Sequence, residues 1–106
     1  MNDQKPSVSN AFQIFVSQAP SHAKAWMTAV KGLDKASSLD KKTEELAYLS
    51  VLAALRMESG VPFHVQSAKQ AGASREEIIS AVLVGMPAAG LAVIHVLPAA
   101  IAAFDA

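Results

Sequence analysis

The sequence predicts an all-α fold of five or six helices. Apolar residues recur at helical spacing, as from Ala25 to Leu33, where five of them follow an i, i+1, i+4, i+5, i+8 pattern. Glycine, proline and N-cap residues divide much of the remaining chain into segments of helical length. We therefore expect one all-helical domain over residues 11–106, preceded by a flexible tail over residues 1–10.

The chain before residue 40 carries two helical signals. Ala11–Val16 is short and apolar, which predicts a helical turn that covers the core or a neighbouring chain. Pro20-Ser21 is typical of a helix entry, with Ser21 as the N-cap. Trp26 is the residue that we expect to anchor this second helix.

A long helix is predicted from about Asp40 to Gly60. Asp40 is a good N-cap, and the acidic residues of the first turn suit the positive end of the helix dipole. From Leu46 to Leu55 nearly every residue is apolar, and a helix that is apolar all round is buried. We therefore expect this helix to be the buried centre of the fold and to end at Gly60.

Two further helices follow in quick succession. Pro62 suits the first position of a helix, where its missing N–H costs nothing, and this places His64 in the first turn. That helix should stop at Gly72. Ser74 and Glu77 then have the S-x-x-E spacing of a capping box, which predicts the start of another helix.

The last third of the chain is almost free of charge. Ile78–Phe104 runs for 27 residues without a formal charge, a length that could span a membrane. Four helix breakers interrupt this run: Gly85, Pro87, Gly90 and Pro98. They favour two helices, at about residues 75–84 and 88–104, buried as a pair in an oligomer, over a membrane span.

The composition limits the classes of function. The chain has nine basic and nine acidic residues and no basic stripe, which argues against nucleic-acid binding. It has no cysteine, which excludes disulfides and thiolate zinc sites and fits a cytoplasmic location. Apolar residues make up 52% of the chain, more than a domain of 106 residues easily hides, and this surplus predicts a subunit interface.

His64 and Glu45 are the candidate catalytic residues. A positioned imidazole is the commonest general acid or base near neutral pH. A carboxylate on an otherwise apolar helix needs a partner, and a neighbouring imidazole is a natural one. The alternatives are a His64 ring that packs under the preceding loop and bonds a carbonyl, and a Glu45 side chain that complements the helix dipole in water.

The other candidates favour structural roles. His95 is expected to be a satisfied core or interface histidine, and His22 a solvated residue at a helix start. Tyr48 is expected in the core with its hydroxyl at the surface rather than in a pocket. The histidines lack the tight spacing of a metal site, so neither a metal nor another cofactor is expected.

One set of spacings is similar to that of a known family. Glu45 is followed by Met57, Gly60 and His64, and then by the phrase Gly72-Ala73-Ser74-x-x-Glu77-Ile78. This pattern resembles the carboxymuconolactone decarboxylase family, which includes the alkyl hydroperoxidase D branch, over about Leu33 to Phe104. In the hydroperoxidase branch the pattern is Glu, eleven residues, C-x-x-C, three residues and His.

The two positions that would carry the cysteines hold Met57 and Gly60. Because thiolate is the nucleophile of dithiol peroxidases, that activity is not expected. The resemblance implies an alkyl hydroperoxidase D-like helical fold, assembled as a trimer or hexamer, and acid/base catalysis on a small carboxylated lactone or oxo-acid. His64 would move the proton and Glu45 would orient it.

Three residues are candidates for substrate binding: Arg56, Met57 and Gly60. Arg56 could offset a substrate carboxylate, while Met57 and Gly60 occupy the former dithiol positions. The alternative function is a non-catalytic oligomeric protein that binds a small molecule or serves as a scaffold and keeps the fold.

Overall fold

The computed structural model describes residues 8–106, and the chain divides into two compact units, Met1–Leu39 and Asp40–Ala106. The first unit contains α1 (Asn10–Gln18) and α2 (Pro20–Ala36). The second contains α3 (Lys41–Leu55), α4 (Val61–Gln70), α5 (Arg75–Leu83), α6 (Met86–Ala89) and α7 (Leu97–Asp105), with 3-10 helices at Glu58–Gly60 and Leu91–Val96. Six of these α-helices have nine or more residues, which confirms the predicted all-α fold.

Helices α1 and α2 form the first unit. Ser9 is the N-cap of α1, and its Oγ accepts a hydrogen bond from the Phe12 N–H at 3.2 Å. Most of the tail expected over residues 1–10 lies outside the described residues. The prediction that Ser21 caps α2 is wrong, because α2 already begins at Pro20, whose missing N–H suits the first turn.

The first unit buries little. Among its described residues only Ala23 is buried, and Trp26 is 54% exposed. The prediction that Trp26 anchors α2 is therefore wrong. A sequence pattern identifies an apolar helix face, but a unit of only two helices leaves most of such a face uncovered.

The second unit has the larger core. Its helices α3, α4, α5 and α7 pack against one another. The fully buried side chains include Leu49 of α3, Val61 and Val65 of α4, and Ile78 and Val82 of α5. This packing brings the N-terminal halves of α3 and α4, which carry the candidate catalytic residues Glu45 and His64, onto a common core.

Local capping fixes the ends of α3. Asp40 is the N-cap as predicted, and its Oδ1 accepts from the Thr43 N–H at 2.8 Å. The helix ends at Leu55 instead of Gly60. Arg56 adopts the left-handed conformation with φ 58°, and its N–H bonds the carbonyls of Leu52 and Ala53, which closes the helix early.

Helix α3 is not buried all round, so that prediction is wrong for the single chain. Its buried face carries Leu49, Leu52 and Ala53. The opposite face is also apolar yet exposed; it carries Ala47, Tyr48, Val51, Ala54 and Leu55. We call these five residues the outer α3 face. The sequence could not distinguish the two faces, because both are made of the same residue types.

Helices α4 and α5 begin and end close to their predicted positions. Pro62 lies in the first turn of α4, and Gly72, with φ 99°, lies two residues after its last residue, Gln70. The capping box of α5 is present in both directions. The Ser74 Oγ accepts from the Glu77 N–H at 3.0 Å, and the Glu77 carboxylate accepts from the Ser74 N–H at 2.9 Å.

The single helix predicted over about residues 88–104 is wrong. Gly90, with φ 87°, ends α6, a 3-10 helix follows, and α7 begins only at Leu97. Pro98 lacks the N–H that would bond the Ile94 carbonyl, so a continuous α-helix across this point is disfavoured. Among the described helices, none is long and apolar enough to cross a membrane.

Side chains of α4 bond the C-terminal end of α7. The Gln66 amide donates to the Ala103 carbonyl at 2.5 Å, and the Lys69 ammonium donates to the Phe104 carbonyl at 2.6 Å. These carbonyls belong to the last turn of α7, where they have no intrahelical partner. The bonds fix α4, the helix that carries His64, against the core.

Candidate functional site

Glu45 and His64 form a direct pair. Glu45 lies one turn into α3, and His64 is the fourth residue of α4. The His64 Nδ1 lies 2.8 Å from the Glu45 Oε2. Because a carboxylate only accepts hydrogen bonds, Nδ1 carries the proton and donates it. The packing of α3 on α4 thus brings together two residues that are 19 positions apart.

Glu45 is a buried carboxylate with two hydrogen-bond donors. The residue is 6% exposed, and its Oε1 lies 3.0 Å from the Lys41 ammonium, one turn earlier in α3. Burial alone would raise the pKa of Glu45, but the hydrogen bonds from His64 and Lys41 and their positive charge lower it overall. Glu45 is therefore ionised at neutral pH.

Two aromatic rings contact the His64 imidazole. The Tyr48 ring stacks on it, with centroids 4.2 Å apart and planes inclined by 28°. The Phe63 ring meets it edge to face at 5.2 Å and 80°. Tyr48 is 48% exposed, so the prediction that it belongs to the core is wrong. It lies three residues after Glu45, on the same side of α3, which is how both residues reach one ring.

The second ring nitrogen of His64 is accessible. Nε2 has no hydrogen-bond partner among residues 8–106, and no unpartnered polar side-chain atom there is buried. Nε2 therefore reaches solvent, and the His64 side chain is 23% exposed. The imidazole is held by Nδ1 on the protein side and presents Nε2 to whatever enters from solution.

The three predicted substrate-binding residues follow α3 in the chain. Arg56 is exposed, and its side chain forms no ion pair or hydrogen bond within residues 8–106. Met57 is 49% exposed. Gly60 ends the 3-10 helix, and a Cβ placed there would lie 3.5 Å from the Leu52 side chain, an ordinary contact. Within residues 8–106, neither the Arg56 nor the Met57 side chain forms a hydrogen bond or ion pair with Glu45 or His64, whereas Gly60 is the N-cap residue of α4, four positions before His64.

The other histidines lie outside this site. His22 is exposed near the start of α2, which confirms its expected solvation. His95 is exposed on the 3-10 helix Leu91–Val96, so the expected core position is wrong, while an interface position stays a prediction.

Sequence reasoning missed two contributors to the site. Lys41 bonds Glu45 from four residues earlier, and Phe63 directly precedes His64. Helical spacing from Glu45 would have found both Lys41 and Tyr48, since residues three or four apart lie on the same side of a helix.

The fold and the site define the class of protein: an all-α domain in which a buried carboxylate orients an accessible histidine. Residues 20–104 match the model of the carboxymuconolactone decarboxylase family. The chain belongs to this family, as a member without cysteine. No curated protein and no solved structure matches it.

Proposed function

We propose that the protein is an acid/base catalyst of the carboxymuconolactone decarboxylase type, in which His64 transfers a proton through Nε2. The bond between His64 Nδ1 and Glu45 is the observation that supports this proposal. It leaves the lone pair of Nε2 on the accessible side of the ring, where it can take a proton. The ionised Glu45 stabilises the imidazolium that results.

The substrate that fits this proposal is a small carboxylated lactone or oxo-acid. On loss of CO2, the electron pair of the breaking C–C bond passes to the adjacent carbon. Nε2, which took its proton from the carboxyl group of the substrate or, where that group is already ionised, from solvent, then donates this proton to the carbon, so that a proton replaces CO2. No thiol takes part, in keeping with the absence of cysteine.

Arg56, Met57 and Gly60 are proposed to line the substrate side. Arg56 has no ionic partner within the described residues and could receive the substrate carboxylate. Its left-handed backbone supports this role, because a non-glycine residue there costs about 1 kcal/mol. Glycine would adopt this backbone conformation without that strain. The presence of arginine instead suggests that its side chain has a function.

The first prediction concerns His64→Ala, tested on carboxymuconolactone as the probe and followed by CO2 release. Turnover should fall about a hundredfold or more, since a positioned general acid/base contributes roughly that factor. His22→Ala, which removes an exposed histidine of the first unit, is the control and should keep wild-type turnover.

The alternative is a non-catalytic binding or scaffold protein. The exposed apolar residues of the outer α3 face favour it, since such surfaces often bind partners. In that case the wild-type protein releases no CO2 from the probe, and His64→Ala changes neither the affinity for the probe nor the assembly state.

We also propose that the chain forms a homo-oligomer, a trimer or hexamer, through the outer α3 face. Val51 is 52% exposed there and Leu55 63%. Association of subunits through this face would remove that apolar surface from water. Light scattering on the eluting protein should then give three or six times 11.1 kDa. Leu55→Glu should lower that mass, and Val84→Glu, at a similarly exposed site (68%) in the turn after α5, should not. A wild-type mass of 11.1 kDa would refute the proposal.

A cytoplasmic location, suggested by the lack of cysteine, stays a prediction.

A further inference from the structure

The His64 ring is held at two different parts of its surface. Glu45 contacts the edge of the ring, through the bond to Nδ1 at 2.8 Å. Tyr48 contacts the face of the ring, with centroids 4.2 Å apart. Both contacts come from consecutive turns of α3, whereas the ring itself belongs to α4.

One hydrogen bond does not determine the plane of an imidazole. The last torsion of a histidine side chain has a broad energy profile, so the ring can rotate while one of its nitrogens keeps a bond. A ring stacked on one face restricts this rotation. Phe63, which meets the ring edge on, adds a second restriction. The direction of Nε2 therefore depends on the aromatic contacts as well as on Glu45.

Tyr48 has no comparable role in the core. It is 48% exposed, whereas Leu49, one residue later, is fully buried in the core. The Tyr48 ring stacks on His64, and this contact distinguishes Tyr48 from the aliphatic residues of the outer α3 face.

We propose that Tyr48 is a positioning residue, whose ring fixes the plane of the His64 imidazole so that Nδ1 stays on Glu45 and Nε2 faces the solution. This inference rests on the proposed function for its purpose, but the contact that it describes exists without any substrate. The phenol hydroxyl takes no part in the stacking of the two rings, so Tyr48→Phe should keep His64 in position.

The test measures which ring nitrogen of His64 carries the proton. Long-range proton–nitrogen NMR spectra of the resting protein, at a pH where the ring is neutral, distinguish the two tautomers. Wild type and Tyr48→Phe should both show the proton fixed on Nδ1. Tyr48→Leu should show averaged signals of both tautomers. Turnover of the probe carboxymuconolactone by Tyr48→Leu should fall about two- to tenfold, the factor that corresponds to the interaction energy of one aromatic pair. Tyr48→Phe should retain turnover.

Trp26→Leu is the matched control. It removes another aromatic ring, which is 54% exposed and does not stack on His64. The His64 spectrum should therefore be unchanged. Circular dichroism checks that each variant is folded. If Tyr48→Leu does not fold, Tyr48→Gln, which keeps a long side chain without a ring, replaces it with the same expected spectrum.

Two results would overturn the inference. A wild-type spectrum in the folded Leu or Gln variant would show that the ring of Tyr48 does not position His64. Averaged tautomers in Tyr48→Phe would show that the hydroxyl is required. An inactive wild-type protein with a fixed Nδ1 proton would instead refute the proposed function and leave the positioning intact.

Discussion

Two hydrogen-bonded pairs of nearly equal length, each between a basic side chain and a carboxylate, lie in different surroundings in the second unit. His64 and Glu45 are 2.8 Å apart with side chains 23% and 7% exposed, while Arg75 and Asp105 are 3.0 Å apart with side chains 43% and 50% exposed. Water competes for both partners of the exposed pair, and dissolved salt screens them. The distance between two partners therefore says little about how much the pair stabilises the protein. Exposure to solvent decides it.

The buried pair also differs in its chemistry. Glu45 has two donors and little water, so its charge is compensated by the protein, and this fixes the orientation of His64. In the exposed pair, the hydrogen bond and charge of Asp105 raise the pKa of Arg75, a group that is charged at any physiological pH in any case. Of the two pairs, only the buried one contains a group, the His64 imidazole, that can gain and lose a proton near neutral pH while the hydrogen bond to Glu45 holds it.

The largest effect expected from this comparison is that of Glu45→Gln. The amide keeps the shape of the side chain but cannot accept from both Lys41 and His64 as a carboxylate does. Unfolding in urea at pH 7 should show a loss of about 1–3 kcal/mol, the usual cost of a mispaired buried polar group. Turnover of the probe should fall as well, because the neutral amide does not stabilise the imidazolium as the carboxylate does.

The loss in Glu45→Gln should depend on pH. The folded-state pKa of Glu45 is lowered below its ordinary value of 4.5, so the carboxylate stabilises the protein above about pH 4.5. That stability is lost as the pH falls through the folded pKa. The difference between wild type and Glu45→Gln should therefore be largest near neutral pH and shrink below about pH 4.5.

Glu76→Gln is the control for this titration. Glu76 is exposed in the first turn of α5, and its replacement should change the urea midpoint at pH 7 much less than Glu45→Gln does. A stability difference in Glu45→Gln that is the same at pH 7 and pH 3 would contradict the assignment of Glu45 as an ionised, hydrogen-bonded group.

The smallest effect is expected for Arg75→Ala. The lost pair is solvated on both sides, so the urea midpoint should stay within experimental error of wild type, in low salt and in high salt. Asp105→Asn should give the same result. A shift as large as that of Glu45→Gln would mean that exposure does not separate the two pairs.

The parts of the fold that were predicted well depend on neighbouring residues. Asp40 caps α3 and Ser74 caps α5 through bonds that span three residues, so the sequence contains all the information that these helix starts require. Arg56 shows the limit of this reasoning. An arginine in a left-handed cap is uncommon, and no local pattern predicted that α3 would end there.

The candidate site was predicted in part. The sequence identified Glu45 and His64 through their spacing, but their bond depends on how α3 and α4 pack, which no pattern within either helix states. Tyr48 was assigned to the core because apolar residues surround it in the chain. In the structure it lies on the exposed side of α3, where its ring meets His64.

By itself, the sequence determined an all-α chain without thiol chemistry, and where most of its helices begin, because capping and residue type act over a few positions. Only the tertiary structure decided that a buried carboxylate meets an imidazole 19 residues away, and which apolar face of α3 stays exposed. Those outcomes follow from the packing of whole helices, because residues from distant parts of the chain together determine which side chains are buried.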